Sequence, residues 1–507
     1  MNLRGSGFGP GYHHPSSGPF GATPLNALLL AQSNEENIRS VIGSVGEALQ
    51  SPTGLLGVAA AIALFIYAGL TREGWRLAFI TTLLLAMMVD GSGRFFNNTL
   101  FSPLQQVRSS SQFTAVALLG LLAVATMRFG RPTWSRIAGG IAVSFLFFEL
   151  YYGVRLVLSE QLLRGGLAIV TFTLIFLAVP MGIGRTLSSP EGIEKLIRTY
   201  ALVSIPYIVF NLMQYAFSPN YTIVSGRFAG ISGNPQHAAM MFAFLTVTLA
   251  WLLSRPRENW IVLPVFAVMI GLSVLLVAWT GSRTGALAGF IGVVLIFRKQ
   301  AVALVLVGGF TAGAALLAAT IVGEGQDAFE RITSTENTRQ QVWMMGLEEF
   351  VKTPIFGGLG DPSGANMKVI ESTPIQTLQV LGVSGFVPLL LTYLCIIMSV
   401  VRLQAIRRVR TDLRAAIDYT TAMWAMVLLM SIFEAIFLGI LTFFNLTIYM
   451  LAAITAAIIA LGRVDMSDAE EEEEWSDTTD HEHHPDDGPD QDDFRESEGT
   501  GDRVPAT

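Results

Sequence analysis

The chain has 507 residues, of which 51% are apolar and only 14% charged, with a mean hydropathy of +0.52. Soluble chains carry about 25% charged residues, so the composition excludes a soluble globular protein along with disordered and collagenous classes. The single cysteine, Cys395, sits in an apolar run and excludes a disulfide scaffold. A polytopic membrane protein remains.

The net charge of −7 conceals two opposite parts. Residues 464–507 carry 18 Asp+Glu against 2 Arg, a net of −16, which leaves +9 for residues 1–463. Three regions follow: a Gly-, Pro- and Ser-rich segment 1–53 without a cleavable signal peptide, an apolar body 54–462, and an acidic tail 463–507. With its Glu470–Glu474 run, the tail cannot bury apolar surface, and it is expected to be disordered.

A spanning helix needs about 20 mostly apolar residues. Candidate spans are 54–70, 74–91, 112–127, 137–153, 166–183, 200–217, 237–253, 260–279, 285–297, 301–322, 380–401, 419–440 and 446–462. The expected fold class is therefore all-α, a transmembrane helix bundle of 12–13 spans. Alternate short loops carry 17 Arg and Lys, from Arg72 and Arg76 through Arg255 and Arg298 to Arg414, against 6 in the opposite set. The richer side is expected to be cytoplasmic. That places the acidic tail inside and one large loop, 323–374, outside.

The outside loop holds an amphipathic helix from Arg339 to Lys352, whose apolar stripe is read as Trp343, Leu347, Phe350 and Val351. Pro354 and the glycines at 357–360 end it. Such a helix serves as a lid over an external cavity or lies on the lipid interface. Arg339, at its head, should point toward the membrane. Two further arginines lie outside: Arg227, before the seventh span, and Arg283, in a short break between spans. An arginine at the hydrocarbon edge faces protein, water or an anion, and its planar fork suits phosphate. The three are candidates to converge on one anionic ligand. Among carboxylates, Glu149 and Glu434 are expected inside spans and Asp90 at the outer end of one, with Glu149–Arg155 a candidate pair. Glu371, just before Ser372-Thr373-Pro374 and a helix start, is the candidate general base, or a charge complementing that helix's N-terminus. His237, beside Asn234-Pro235, reads as a helix-start residue.

Over residues 200–400 these elements resemble the O-antigen ligase and polymerase family of bacterial envelope glycosyltransferases. The resemblance is carried by Arg227 to Pro235, by Ser282-Arg283-Thr284-Gly285, and by Arg339 with Trp343 followed by Pro354 to Gly360. Gln376 and Gly382 to Phe386 continue it. Where ligases typically have a His eleven residues before Gly382, this chain has Glu371, which favours a polymerase-like or divergent member. The resemblance implies glycan transfer from a polyprenyl-pyrophosphate-linked glycan to a glycan or lipid acceptor, at the periplasmic face of the bacterial inner membrane. Arg227, Arg283 and Arg339 would stabilise the leaving diphosphate and Glu371 would activate the acceptor hydroxyl. No metal, cofactor or nucleic-acid partner is called for; the lipid bilayer is the one obligatory partner. The competing class is a transporter or flippase of lipid-linked glycans, with the same arginines binding rather than catalysing.

The charge asymmetry generates a topology prediction. In a Cys395→Ala background, Gln326→Cys should react with an impermeant thiol reagent in intact cells and Ser476→Cys should not; the opposite labelling would invert the orientation.

Overall fold

Inside a bilayer no water is available to backbone N–H and C=O groups, so an apolar run must satisfy them within itself. In a computed structural model of the chain, every long apolar run among the described residues is accordingly helical. The described residues are 73–89, 102–129, 136–255, 262–298, 339–359 and 370–479, with a few isolated positions between 59 and 100. The candidate spans 54–70 (apart from isolated positions) and 301–322, Asp90, and half of the 323–374 loop lie outside them.

The helices are α1 (Gly74–Val89), α2 (Ser102–Thr126), α3 (Arg136–Leu158), α4 (Leu162–Ala178), α5 (Pro190–Leu202) and α6 (Ser204–Phe217). A two-stranded hairpin, β1 (Ile223–Val224) and β2 (Arg227–Phe228), precedes α7 (Pro235–Leu253), α8 (Val262–Trp279) and α9 (Arg283–Ile296). Then come α10 (Arg339–Lys352), α11 (Thr373–Val409), α12 (Arg414–Phe433) and α13 (Phe443–Thr479). Among the described residues, seven segments are long and apolar enough to cross a membrane, and four apolar helices are shorter. This is a mostly helical, multi-pass membrane protein. In the spanning stretches of α13 and α7, 89% and 83% of residues are buried, against 39% in α11. The first two therefore form the centre of the bundle and α11 lies at its edge.

Local sequence sets several helix starts. Ser189, Asn234 and Ser282 accept hydrogen bonds from Gly192 N, Gln236 N and Gly285 N, and Pro190 and Pro235 occupy the first turns behind them. The chain divides into two units, Met1–Leu461 and Gly462–Thr507. In the second, helical backbone is described as far as Thr479. Disorder was the expectation there from residue 463. The difference has a simple cause: Glu is a good helix former, and extending an existing helix needs no new nucleus. Residues 480–507 lie outside the described set.

The basic loops gather at one end of the bundle, as the alternation required. Glu73 pairs with Lys195, Arg255 with Glu194 (3.2 Å), and Asp418 with both Arg298 (3.0 Å) and Arg407 (2.6 Å). Trp251 Nε1, donating to Ala415 O at 2.8 Å, joins the two groups.

At the opposite end α11 is broken at Gly382, whose φ of 68° and ψ of −165° are not helical. The break frees carbonyl and amide groups, and the turn after α10 satisfies them. Gly358 N donates to Gln379 O (2.8 Å) and Leu359 N to Val380 O (3.2 Å); in return Val383 N donates to Pro354 O (2.9 Å) and Ser384 N to Ile355 O (3.1 Å). A Cβ at residue 382 would lie 2.4 Å from Ile355 O. Gly382→Ala should therefore lose both the left-handed backbone and the clamp, costing at least about 1–3 kcal/mol, read as a lower thermal unfolding midpoint in detergent. An unchanged midpoint would show the break to be dispensable.

Candidate functional site

Four polar side chains, from four helices or their edges, converge beside the clamp. Arg339, the first residue of α10, donates from Nη2 to Glu434 Oε1 at 2.7 Å and to Thr284 Oγ1 at 3.1 Å, and from Nε to Glu371 Oε2 at 3.4 Å. Its guanidinium stands 5.6 Å over the Phe433 ring, against which Trp343 also stacks. Arg339 thus turns into the bundle, as its place at the head of α10 suggested.

The backbone beneath these groups is stapled. Trp343 Nε1 donates to Glu371 O (3.2 Å), while Thr373 N (3.1 Å) and Thr373 Oγ1 (2.8 Å) both donate to Glu434 O. Ile436 N donates to Thr373 Oγ1 at 3.1 Å. Glu371 and Glu434 are held on either side of one guanidinium by main-chain bonds that do not involve their carboxylates.

The packed face of α10 differs from the expected stripe. Gly346 is buried, with Arg339, Val342, Trp343 and Phe350 half-buried, whereas Leu347 and Val351 are exposed. The reason is close approach: a Cβ on Gly346 would meet Ile370 Cδ1 at 2.0 Å. Counting apolar residues cannot register a glycine that packs because it has no side chain.

Arg227, immediately after the hairpin turn, donates from Nε to Thr280 O at 2.6 Å, in the connection between α8 and α9. It is close enough for its charge to act on Glu434. Arg283 opens α9, is exposed, and adjoins the Thr284 that Arg339 contacts. Arg339 and Glu371 are thus in direct contact, and Arg227 and Arg283 flank them through the α8–α9 connection. The expectation of three cations all awaiting an anion needs one amendment, because Arg339 is already engaged by two carboxylates. His237, third residue of α7, is the expected helix-start residue, its ring edge-on to Phe444 at 5.7 Å.

Glu149 does not pair with Arg155. Its carboxylate, 1% exposed, accepts from Asn445 Nδ2 (2.7 Å) and Tyr449 OH (2.5 Å). Both partners come from the start of α13, some 300 residues away, beyond the reach of any local pattern. Glu434 is the residue whose importance the sequence understated. It was legible as a carboxylate in apolar surroundings, but its partner Arg339 is 95 positions distant.

The two site carboxylates differ in environment. Glu371 is 36% exposed and Glu434 3%. Glu434, expected inside the span 419–440, lies just past the end of α12, because the helix stops at Phe433 and Glu434 takes an extended conformation. Burial pushes its carboxyl up to about 8, the Glu371 charge adds to the rise, and Arg339 opposes it.

No protein-family model matches the chain, and no curated protein matches it.

The raised Glu434 carboxyl sets a pH dependence. Its preference for the protonated form stabilises the fold fully below an ordinary carboxyl value of 4.5, and that contribution disappears as pH rises to about 8. The wild type should therefore lose stability relative to Glu434→Gln across that window, by at most about 1.4 kcal/mol per pH unit, and the difference should level off above it. Thermal unfolding over a pH series measures this. Parallel curves would mean that Glu434 stays ionised throughout as a permanent partner of Arg339.

Proposed function

We propose that the protein is a membrane glycosyltransferase, moving a glycan from a polyprenyl-diphosphate donor to an acceptor hydroxyl at the outer face of a bacterial cytoplasmic membrane. The observation that carries this reading is Arg339 shared between Glu371 and Glu434, with Arg227 and Arg283 at the adjoining α8–α9 connection. Three arginines at or beside one cluster next to an apolar bundle suit a diphosphate whose lipid tail lies in the bilayer. The family resemblance of residues 200–400 supports the same chemistry. The excess of Arg and Lys at the opposite end supports an outer-side position for this site.

In the reaction the acceptor oxygen attacks the anomeric carbon of the donor sugar. The bond from that carbon to the diphosphate oxygen breaks, and the polyprenyl diphosphate leaves with the electron pair. The hydroxyl proton passes to Glu371, the carboxylate that solvent and substrate reach; Glu434 is too buried to serve. Arginines facing the leaving group offset the charge that develops on it.

Purified protein with an undecaprenyl-diphosphate-linked oligosaccharide tests the reading, with released undecaprenyl diphosphate and product glycan as readouts. Glu371→Gln should lower transfer by about 10²–10⁴, the usual contribution of a general base, with donor affinity little changed. Arg283→Lys should weaken transfer and donor binding together, since it keeps the charge and loses the fork. Full transfer by Glu371→Gln would remove the base. Absence of any transfer, with donor moved across a reconstituted membrane, would make the protein a transporter.

A further inference from the structure

A second feature lies apart from the carboxylate cluster, on the lipid side of the bundle between α3 and α11. One face of α3 presents Gly140, Ser144, Phe147 and Tyr151; the facing side of α11 presents Ser384, Val387, Leu391 and Cys395. Together they wall an apolar groove of about 460 Å³, within the range of small-molecule sites. Two hydroxyl contacts form its floor, Thr392 Oγ1 donating to Ser144 Oγ at 3.0 Å and the Tyr151 OH sharing a hydrogen bond with Ser384 Oγ at 2.5 Å. At the lower end, the missing side chain of Gly140 lets Cys395 Sγ come within 3.1 Å of where a Cβ would stand. The walls stay open to the bilayer: Phe147 is 63% exposed and Leu391 50%.

What selects an occupant is the cation at the upper end. Arg155 lies one turn beyond Tyr151 on the same face of α3. Its guanidinium sits 5.6 Å over the ring of Phe356, in the turn that clamps the α11 break. Among the described residues no carboxylate lies within ion-pair distance of Arg155, and its buried Nε has no acceptor. An uncompensated arginine at the membrane edge, above a lipid-facing groove, is matched by a phosphate headgroup whose chain fills the groove.

We infer that this groove is a binding site for an anionic phospholipid, with an acyl chain between α3 and α11 and the headgroup phosphate on Arg155. The lipid would touch the Ile355–Phe356 turn and so brace the clamp that carries α10. The inference stands independently of the glycosyl-transfer reading, because it uses none of the carboxylate-cluster residues and its test needs no activity.

The test is native mass spectrometry of the full chain in detergent, titrated with phosphatidylglycerol or phosphatidylcholine of the same acyl chains. Phosphatidylglycerol should be retained about fivefold better, the weight of one basic residue on one anionic headgroup. Arg155→Gln should abolish that preference while leaving phosphatidylcholine binding as it was. Val387→Trp, on an exposed wall of the groove, should reduce retention of both lipids and so distinguishes groove binding from general surface attraction. Equal retention of the two lipids by the wild type, or an undiminished preference in Arg155→Gln, would overturn the proposal. Preferential retention of undecaprenyl phosphate over phosphatidylglycerol would also overturn it and give the groove to an isoprenoid chain.

Discussion

The arrangement rests on a break in a membrane helix. At Gly382, which is buried, the α11 backbone leaves the helical region, so the freed groups must find partners in protein. The turn 354–359 supplies them through four main-chain hydrogen bonds. That exchange anchors the C-terminal end of α10 to the bundle, and Gly346, packed against Ile370, anchors its middle. Arg339 at the other end then has one place to go, between Glu371 and Glu434.

The charge arrangement follows from that position. A guanidinium at a membrane edge needs counter-charge, and two carboxylates supply more than it requires. The imbalance is relieved by unequal burial: Glu434, almost wholly enclosed, favours its proton, while the half-exposed Glu371 faces the open side. One carboxyl thus serves to hold Arg339 and the other is left accessible, although both touch the same side chain. Bonds from Thr373 and Trp343 hold the main-chain carbonyls of the two residues and leave their carboxyl groups out of the scaffold.

The two ends of the bundle use arginine differently. At the loop-rich basic end the cations meet Asp and Glu in half-exposed pairs such as Arg407–Asp418, which tie neighbouring loops together and are individually weak. At the other end the arginines are few and specifically placed: Arg339 against two carboxylates, Arg227 against the Thr280 carbonyl, Arg155 against the Phe356 ring. The same side chain ties loops together at one end and meets individual buried or aromatic partners at the other.

Sequence by itself determined the membrane class, the positions of the apolar helices, the gathering of the basic loops at one end, and several helix starts. Each of these depends on composition or on residues a few positions apart: an apolar length, an Arg count, Ser282 before Gly285, Asn234 before Pro235. It also singled out Arg339 and Glu371, because a charge at a span boundary is conspicuous locally. The tertiary structure alone decided that those two touch, that Glu434 completes the site from 95 positions away, and that Glu149 bonds Asn445 and Tyr449 rather than Arg155. It also decided that α10 packs on Gly346 rather than on Leu347 and Val351. The physical reason is common to all four. Which polar groups must pair, and which surfaces can approach, depends on the space left between helices brought together from distant parts of the chain, and local pattern carries no record of that space.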